Sequence, residues 1–351
     1  MQTIPLIFRC DASSEIGWGY FRRCFALAET AQQSTRFRVT FLSRSLPKNL
    51  NKKLSEIHAN LQVLEENASL EQDLASLHSL FDLMSRKRIV VCVDQKDWTS
   101  ECFESIKKDP RVLLLVFDHG FKREYCSDYM INPSLDAESI AYATSDGCET
   151  LLGPKFAMIR DEVYALRTHP TERMAENFQF LVTLGAGDRW GQALRVIEAV
   201  KKSPVKFETH FVVTSDWPHS EEAKKMIGNH PRIHFYEDPS FFPQLLARAD
   251  LALTSAGNTT YELAYLGIPM MTLALTPDQM SLGESWQRQG FSEHLGSAEN
   301  LSPELILERL HYWMERDQEL EDRGVAAQKL VDGRGKFRVL EKILKKTQNN
   351  S

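Results

Sequence analysis

Short apolar runs alternate with amphipathic stretches along most of the chain, and that alternation is the pattern of βαβ units built on a parallel sheet. In the first half the apolar runs predict strands over 4–9, 38–42, 88–93 and 112–117, with helical periodicity over 20–32, 70–85 and 100–107. A second cycle starts at Phe178, with strands predicted over 178–184, 209–214, 232–236, 251–254 and 270–275. Helices are predicted between them over 190–201, 220–227, 241–249 and 259–266. The mixed stretch between the cycles, 153–177, carries Thr168-His169-Pro170 and reads as a connector. From Ser302, a capping residue with Pro303 at the first helical position, the chain is predicted helical and ends in a basic, polar tail. The expected organisation is α/β, with two Rossmann-like domains over 1–160 and 178–335, a linker over 161–177 and a C-terminal helix and tail over 336–351. A length of 351 residues, beyond what one core usually organises, agrees with two domains.

Composition removes several classes of function. A formal net charge of -6 gives no general attraction for nucleic acid or for an anionic membrane surface. The apolar run before Arg9 is too short for a signal-peptide core or a membrane span, so a cytoplasmic location is expected. Cys10, Cys24, Cys92, Cys102, Cys126 and Cys148 form no CxxC pair and read as reduced, structural thiols. The histidines include no HExxH or HxH and there is no DxDxDG run, so neither a metal nor a cofactor is expected. The absence of a GxSxG elbow and of a GxxxxGK[ST] loop argues against acyl-enzyme hydrolysis and ATP-dependent phosphoryl transfer.

The candidate chemistry sits in loops that follow strands. The first strand runs into Asp11-Ala12-Ser13-Ser14-Glu15-Ile16-Gly17-Trp18-Gly19 and then a helix, so Gly17 and Gly19 let backbone N–H groups approach a phosphate or sugar. This is not the GxGxxG dinucleotide fingerprint, because no third glycine stands near Arg22, and a tight turn without ligand is the alternative. Leu184-Gly185-Ala186-Gly187-Asp188 repeats the strand-to-helix geometry and predicts free N–H donors at a helix start. Ser255-Ala256-Gly257-Asn258-Thr259-Thr260-Tyr261-Glu262 does so again, and Glu262 suits either a ribose diol or the dipole of its own helix. Asp278 and Gln279 follow the strand over 270–275 and are candidates for sugar hydroxyls, or merely cap the next helix. In the first half Asp94 and Asp118-His119-Gly120 end strands on the expected ligand edge, where His119 is the group best suited to proton transfer unless it is structural.

With these residues in hand, the chain resembles the UDP-sugar hydrolases of pseudaminic acid biosynthesis and the related spore coat polysaccharide proteins. The matching pieces are 9–28 (RCDASSEIGWGYFRRCFALA), 152–163 (LGPKFAMIRDEV), 181–188, 249–279 and 331–339 (VDGRGKFRV), in the family's order. The resemblance implies a glycosyltransferase-B architecture, two Rossmann-like domains whose parallel sheets face a central cleft. It implies that Gly187, Ser255, Gly257, Asn258, Thr259, Thr260 and Glu262 hold UDP, that Asp278 and Gln279 touch the sugar, and that water displaces UDP at the anomeric carbon.

The family's general base is a histidine directly after the second glycine of the first loop, and here that position is Tyr20. A tyrosine hydroxyl, with an ordinary pKa of about 10, is protonated at neutral pH and accepts a water proton poorly. Three accounts follow: His119 or Asp11 serves as base, a different acceptor is used, or the sugar nucleotide is bound without turnover. The expected activity is hydrolysis of a UDP-2,4-diacetamido-2,4,6-trideoxy sugar. The alternatives are a glycosyltransferase passing a UDP- or CMP-sugar to a surface glycan or flagellin hydroxyl, and a non-catalytic nucleotide-sugar-binding protein.

Overall fold

The structure, a computed structural model, describes residues 3–13, 15–44, 46–85, 88–118, 124–168, 177–185 and 187–348. Contacts divide it into two units, one of Met1–Ser13, Trp18–Ile159 and Gly333–Ser351 and the other of Ser14–Gly17 and Arg160–Asp332.

The first unit is built from β1 (Ile4–Cys10), α1 (Gly19–Gln33), β2 (Phe37–Ser43), α2 (Lys48–Glu56), β3 (Asn60–Val63), α3 (Leu70–Asp82), β4 (Ile89–Asp94), α4 (Ser100–Lys107), β5 (Val112–Phe117), β6 (Tyr129–Asn132) and β7 (Glu149–Leu152). Its seven strands run parallel in the order β3-β2-β1-β4-β5-β6-β7. Strands β4 and β5 are buried at every position, which is why they read in sequence as unbroken apolar runs: helices cover both faces of a parallel sheet. Ile7, Val91, Leu114, Phe81, Phe103 and Ile106 are part of one core cluster on this sheet. Helix α3 starts at a reciprocal capping box, with Gln72 N–H donating to Ser69 Oγ and Ser69 N–H to the Gln72 side chain.

The second unit opens with α5 (Asp161–Thr168), so residues expected in a linker are helical here. It continues through β8 (Gln179–Thr183), α6 (Gln192–Lys202), β9 (Glu208–Val213), α7 (Ser220–Ile227), β10 (Ile233–Glu237), α8 (Phe242–Arg248), β11 (Leu251–Ser255), α9 (Asn258–Leu266), β12 (Met270–Ala274), α10 (Pro277–Arg288), β13 (Ser292–Ser297), α11 (Pro303–Met314) and α12 (Asp317–Leu330). Its six strands are parallel in the order β10-β9-β8-β11-β12-β13. Phe180, Val196, Ile197, Leu253, Leu273 and Trp313 belong to its core. Helix α11 starts where the sequence placed it, with the Leu305 amide donating to Ser302 Oγ.

The last helix, α13 (Gly335–Gln348), belongs with the first unit rather than standing apart. It packs against α1 and the turn at Pro154–Phe156, burying Val339, Leu340 and Ile343. A Cβ at Gly335 would lie 2.3 Å from the Ala157 carbonyl oxygen, so only glycine permits this approach. Among the described residues no helix is long and apolar enough to cross a membrane.

Candidate functional site

In the second sheet the strand order reverses between β8 and β11: β9 and β10 lie on one side, β12 and β13 on the other. At such a switch point the loops leaving neighbouring strands turn in opposite directions and leave a crevice beyond the carboxyl ends. The two loops are those that carry Gly185 and Gly187 after β8 and Gly257 after β11. Gly185 has φ +73, the left-handed region that favours glycine, and a Cβ there would lie 4.0 Å from Ser255 Oγ. A Cβ at Gly257 would be 3.9 Å from both Ser255 Oγ and Gln279 Nε2, and one at Gly187 would be 3.7 Å from Leu275 Cδ1. Gly17 groups with this unit, and its Cβ would lie 3.9 Å from the Gly187 nitrogen. Gly17, Gly187, Ser255, Gly257 and Gln279 thus gather at one end of one sheet.

The helix starts at this edge are not equivalent. Sequence reading expected free amides at the start of α6, and this expectation is corrected. Asp188 lies buried beneath the loop, and its two carboxylate oxygens accept from the Gln192 and Ala193 amides at 2.7 and 2.9 Å. Burial pushes the Asp188 carboxyl up from its ordinary value, opposed by these amide hydrogen bonds. The Asp188 carbonyl in turn accepts from Trp217 Nε1 at 2.7 Å. Helix α6 is therefore capped by the protein itself. Helix α9 starts at Gly257, which carries no side chain of its own to cap it; the Gly257 and Thr260 amides donate to the Ser255 and Gly257 carbonyls at 2.7 and 3.0 Å, and Asn258 and Thr259 form the half-buried first turn. The positive end of the α9 dipole lies at this edge of the sheet.

Two further residues of the segment are buried. Thr260 is fully buried and its hydroxyl donates to the Gly257 carbonyl at 2.7 Å, so it shapes the loop instead of facing a ligand. Glu262 is buried one turn into α9 and accepts from Arg160 Nε and Nη2, both at 2.6 Å. At the start of α10, Asp278 is exposed, whereas Gln279 is half-buried with Oε1 accepting from the Leu275 amide at 2.9 Å. That bond directs the Gln279 amide group back toward the β12 loop.

In the first unit, Gly19 and the half-buried Tyr20 begin α1. The Arg23 guanidinium lies 5.5 Å from the Tyr20 ring centroid and is held by Asp94 through bonds of 2.9 and 2.8 Å. Asp118 accepts from the Tyr125 hydroxyl and, at 2.7 Å, from Asn132 Nδ2.

Asp11, expected as a possible base, is corrected by its surroundings. It accepts from Arg9 Nη1, the Arg44 amide and Nη1, Gln95 Nε2 and Ser43 Oγ. Burial alone would raise its pKa, but the charges and hydrogen bonds of Arg9 and Arg44 outweigh that and pull it to about 2. A carboxylate so weakly basic and so fully engaged is a poor acceptor for a water proton. His119 lies outside the described residues. Among those described, no group of three or more His, Cys, Asp or Glu is placed to hold a metal ion.

Arg160 and Asp188 were not singled out from sequence. Arg160 lies in the segment 152–163, but nothing in local spacing couples it to a residue 102 positions later. Asp188 carries the ordinary cue of a helix-start carboxylate, which a glycine-centred reading passes over.

No established family profile matches the chain. It is 25% identical over 334 residues to the spore coat polysaccharide biosynthesis protein SpsG of Bacillus subtilis, covering 94% of each chain. It is 22% identical over 291 residues to the UDP-2,4-diacetamido-2,4,6-trideoxy-beta-L-altropyranose hydrolase of Campylobacter jejuni, covering 82% of this chain and 98% of that one. A glycosyltransferase from Rickettsia africae superposes with a TM-score of 0.66 at 12% identity over 100% of both chains. The UDP-GlcNAc 2-epimerase of Neisseria meningitidis, solved with UDP-GlcNAc bound, gives 0.67 at 14% identity over 98% of this chain and 100% of that one. At such identities the solved structures establish the fold: two parallel-sheet α/β domains of the glycosyltransferase-B type.

Proposed function

We propose that this chain binds a UDP-sugar through its second unit and hydrolyses it, with water displacing UDP from the anomeric carbon. The observation that carries this reading is the glycine-lined start of α9 beside the β8 loop, where Gly257 and Gly185 each approach Ser255 Oγ, followed one turn later by a buried carboxylate, Glu262. A pyrophosphate has nowhere comparable to go at α6, whose first amides Asp188 occupies. The similarity to the Campylobacter hydrolase over 82% of this chain, and to the spore coat protein over 94% of it, supports a nucleotide-sugar substrate.

In this reading the diphosphate lies against Gly187, Ser255, Gly257, Asn258 and Thr259, the ribose diol donates to Glu262, and Asp278 and Gln279 face the sugar. Gly17 and Gly19 approach the sugar or phosphate from the first loop. The amide edge of α9 stabilises the negative charge that develops on UDP as the bond from the anomeric carbon to the phosphate oxygen breaks. The water oxygen bonds to that carbon, and its proton passes to a base. Asp11 is unsuited to this by its ion pairs and Tyr20 because a phenol accepts a water proton poorly, and His119 is the residue we assign.

A second reading is transfer of the sugar to a glycan or protein hydroxyl: Tyr20 at the position where the resemblance expects a histidine base counts against both readings, but a transferase could place its base elsewhere. Incubating the purified chain with UDP- and CMP-sugars, first alone and then with a glycan or protein acceptor, separates the readings. UDP release without acceptor is the expected result. Release only with acceptor establishes transfer, and tight binding without release reduces the chain to a nucleotide-sugar-binding protein. Full turnover by His119→Ala removes that residue as the base.

A further inference from the structure

We infer that Arg160 is a positioning residue: it holds Glu262 in the orientation that recognises a ribose diol, and so sets the preference of the site for ribonucleotides over 2′-deoxyribonucleotides. This rests on the proposed nucleotide site and goes on to say how that site tells one sugar from another.

The Glu262 side chain is 6% exposed and the Arg160 side chain 11%. A carboxylate that deeply buried needs a compensating charge to stay ionised, and a guanidinium supplies it with two parallel donors in fixed geometry. The fork uses one acceptor position on each oxygen, through Nε on Oε1 and Nη2 on Oε2, both at 2.6 Å. Each carboxylate oxygen has a second lone pair. The pair therefore offers a rotationally fixed acceptor with one lone pair left on each oxygen, and a vicinal diol supplies two donors.

Arg160 is itself held in place. Its guanidinium lies 5.4 Å from the ring centroid of Phe242 on α8. Helix α5, which begins at the next residue, is fastened to α9 by the stacked rings of Tyr164 and Tyr265, 5.7 Å apart, and by the Tyr265 hydroxyl donating to the Tyr164 carbonyl at 2.9 Å. Because α5 is tied to α9 independently, losing the guanidinium frees the Glu262 carboxylate without releasing either helix. A lysine keeps the charge but gives a single point donor on a flexible stem, so it cannot fix both oxygens.

Calorimetric titration of the full chain with UDP and with 2′-deoxy-UDP tests this. Wild type is expected to bind UDP at least about tenfold more tightly, the scale of one hydrogen bond to a charged group. In Arg160→Ala the UDP affinity should fall by clearly more than that of 2′-deoxy-UDP, which loses only its 3′-hydroxyl contact, so the ratio approaches one. Arg160→Lys keeps the charge pair, guards against simple unfolding, and should narrow the ratio partway. Equal losses for both nucleotides, as from a direct phosphate contact or general loosening, would overturn the role assigned to Arg160, as would an unchanged ratio in both variants. Wild type that binds neither nucleotide would overturn the nucleotide site itself, and with it this inference.

Discussion

Asp11 stands just past the end of β1 with five donors around its two carboxylate oxygens, two of them on Arg44 and one on the fully buried Arg9. Arg9 also pairs with Asp73 at 2.5 Å, so the strand end is a closed ionic network whose members cannot be removed singly without leaving a buried charge unpaired. Asp11→Asn is expected to lower thermal stability strongly. The pH dependence follows from the depressed pKa. The folded value is about 2 and an ordinary aspartate titrates near 3.9, so the stabilisation is complete above the ordinary value and lost as pH falls through the folded one. The gap in urea midpoint between wild type and Asp11→Asn should be constant at neutral pH and shrink below about pH 4. A gap unchanged down to pH 3 contradicts the network. Gly257 behaves oppositely: φ -142 suits any residue, and an added methyl meets only ordinary contacts at 3.9 Å. Gly257→Ala should keep the wild-type melting temperature and weaken UDP binding by at least about tenfold, because the methyl occupies the face that the diphosphate needs. Normal UDP affinity in that variant would place the phosphates elsewhere. These two residues mark what sequence conveys at this scale. A glycine beside a helix start announces close approach, whereas the fate of a carboxylate depends on partners as remote as Gln95, which no local pattern reveals.

Among the elements, the long buried strands were legible because both faces are apolar, and most helices between them because of their periodicity, although α2 was not expected. Strands β3, β6 and β7 escaped sequence reading because four residues cannot display a period, and β3 is largely exposed at the sheet edge. Strand β13 escaped because Ser292–Ser297 has little apolar character. The α6 and α9 starts look alike in sequence, both glycine loops leading into helices, yet the first amides of α6 are taken by the Asp188 carboxylate, whereas at α9 the Thr260 amide returns to the Gly257 carbonyl. Strands β9 and β10 carry a different device. His210 stacks on His234 at 4.9 Å between ring centroids, bonds to Gln179 Oε1 at 2.8 Å and lies near Glu208 and Tyr236. Burial first, and then the charge of His234, push His210 down to about 4, with Glu208 opposing. The fold thus favours neutral His210, so its contribution is complete above about 6.5 and lost as pH falls toward 4. Melting curves from pH 7 to 4.5 should show wild type losing stability more steeply than His210→Phe, which keeps the ring and cannot titrate. Parallel losses would contradict the assignment.

At the scale of the whole chain, the alternation of strands and helices established two α/β domains, but it did not place the C-terminal helix. That helix belongs with the first unit through the Gly335 approach to Ala157 and a bond from the Tyr129 hydroxyl to the Lys342 carbonyl, 213 positions away. Pairings over such separations carry no local signature, so the helix was legible and its partner was not. The nucleotide site proposed for the second unit depends on one strand-order reversal that brings the β8 and β11 loops together, and backbone amides report on it directly. Hydrogen exchange of the full chain with and without saturating UDP is the measurement that bears on it most directly. The account predicts slowed exchange in peptides spanning 255–262 and 185–189, with β9 and β10 unchanged. Bound UDP with no protection over 255–262, or with protection confined to the first unit, would contradict it.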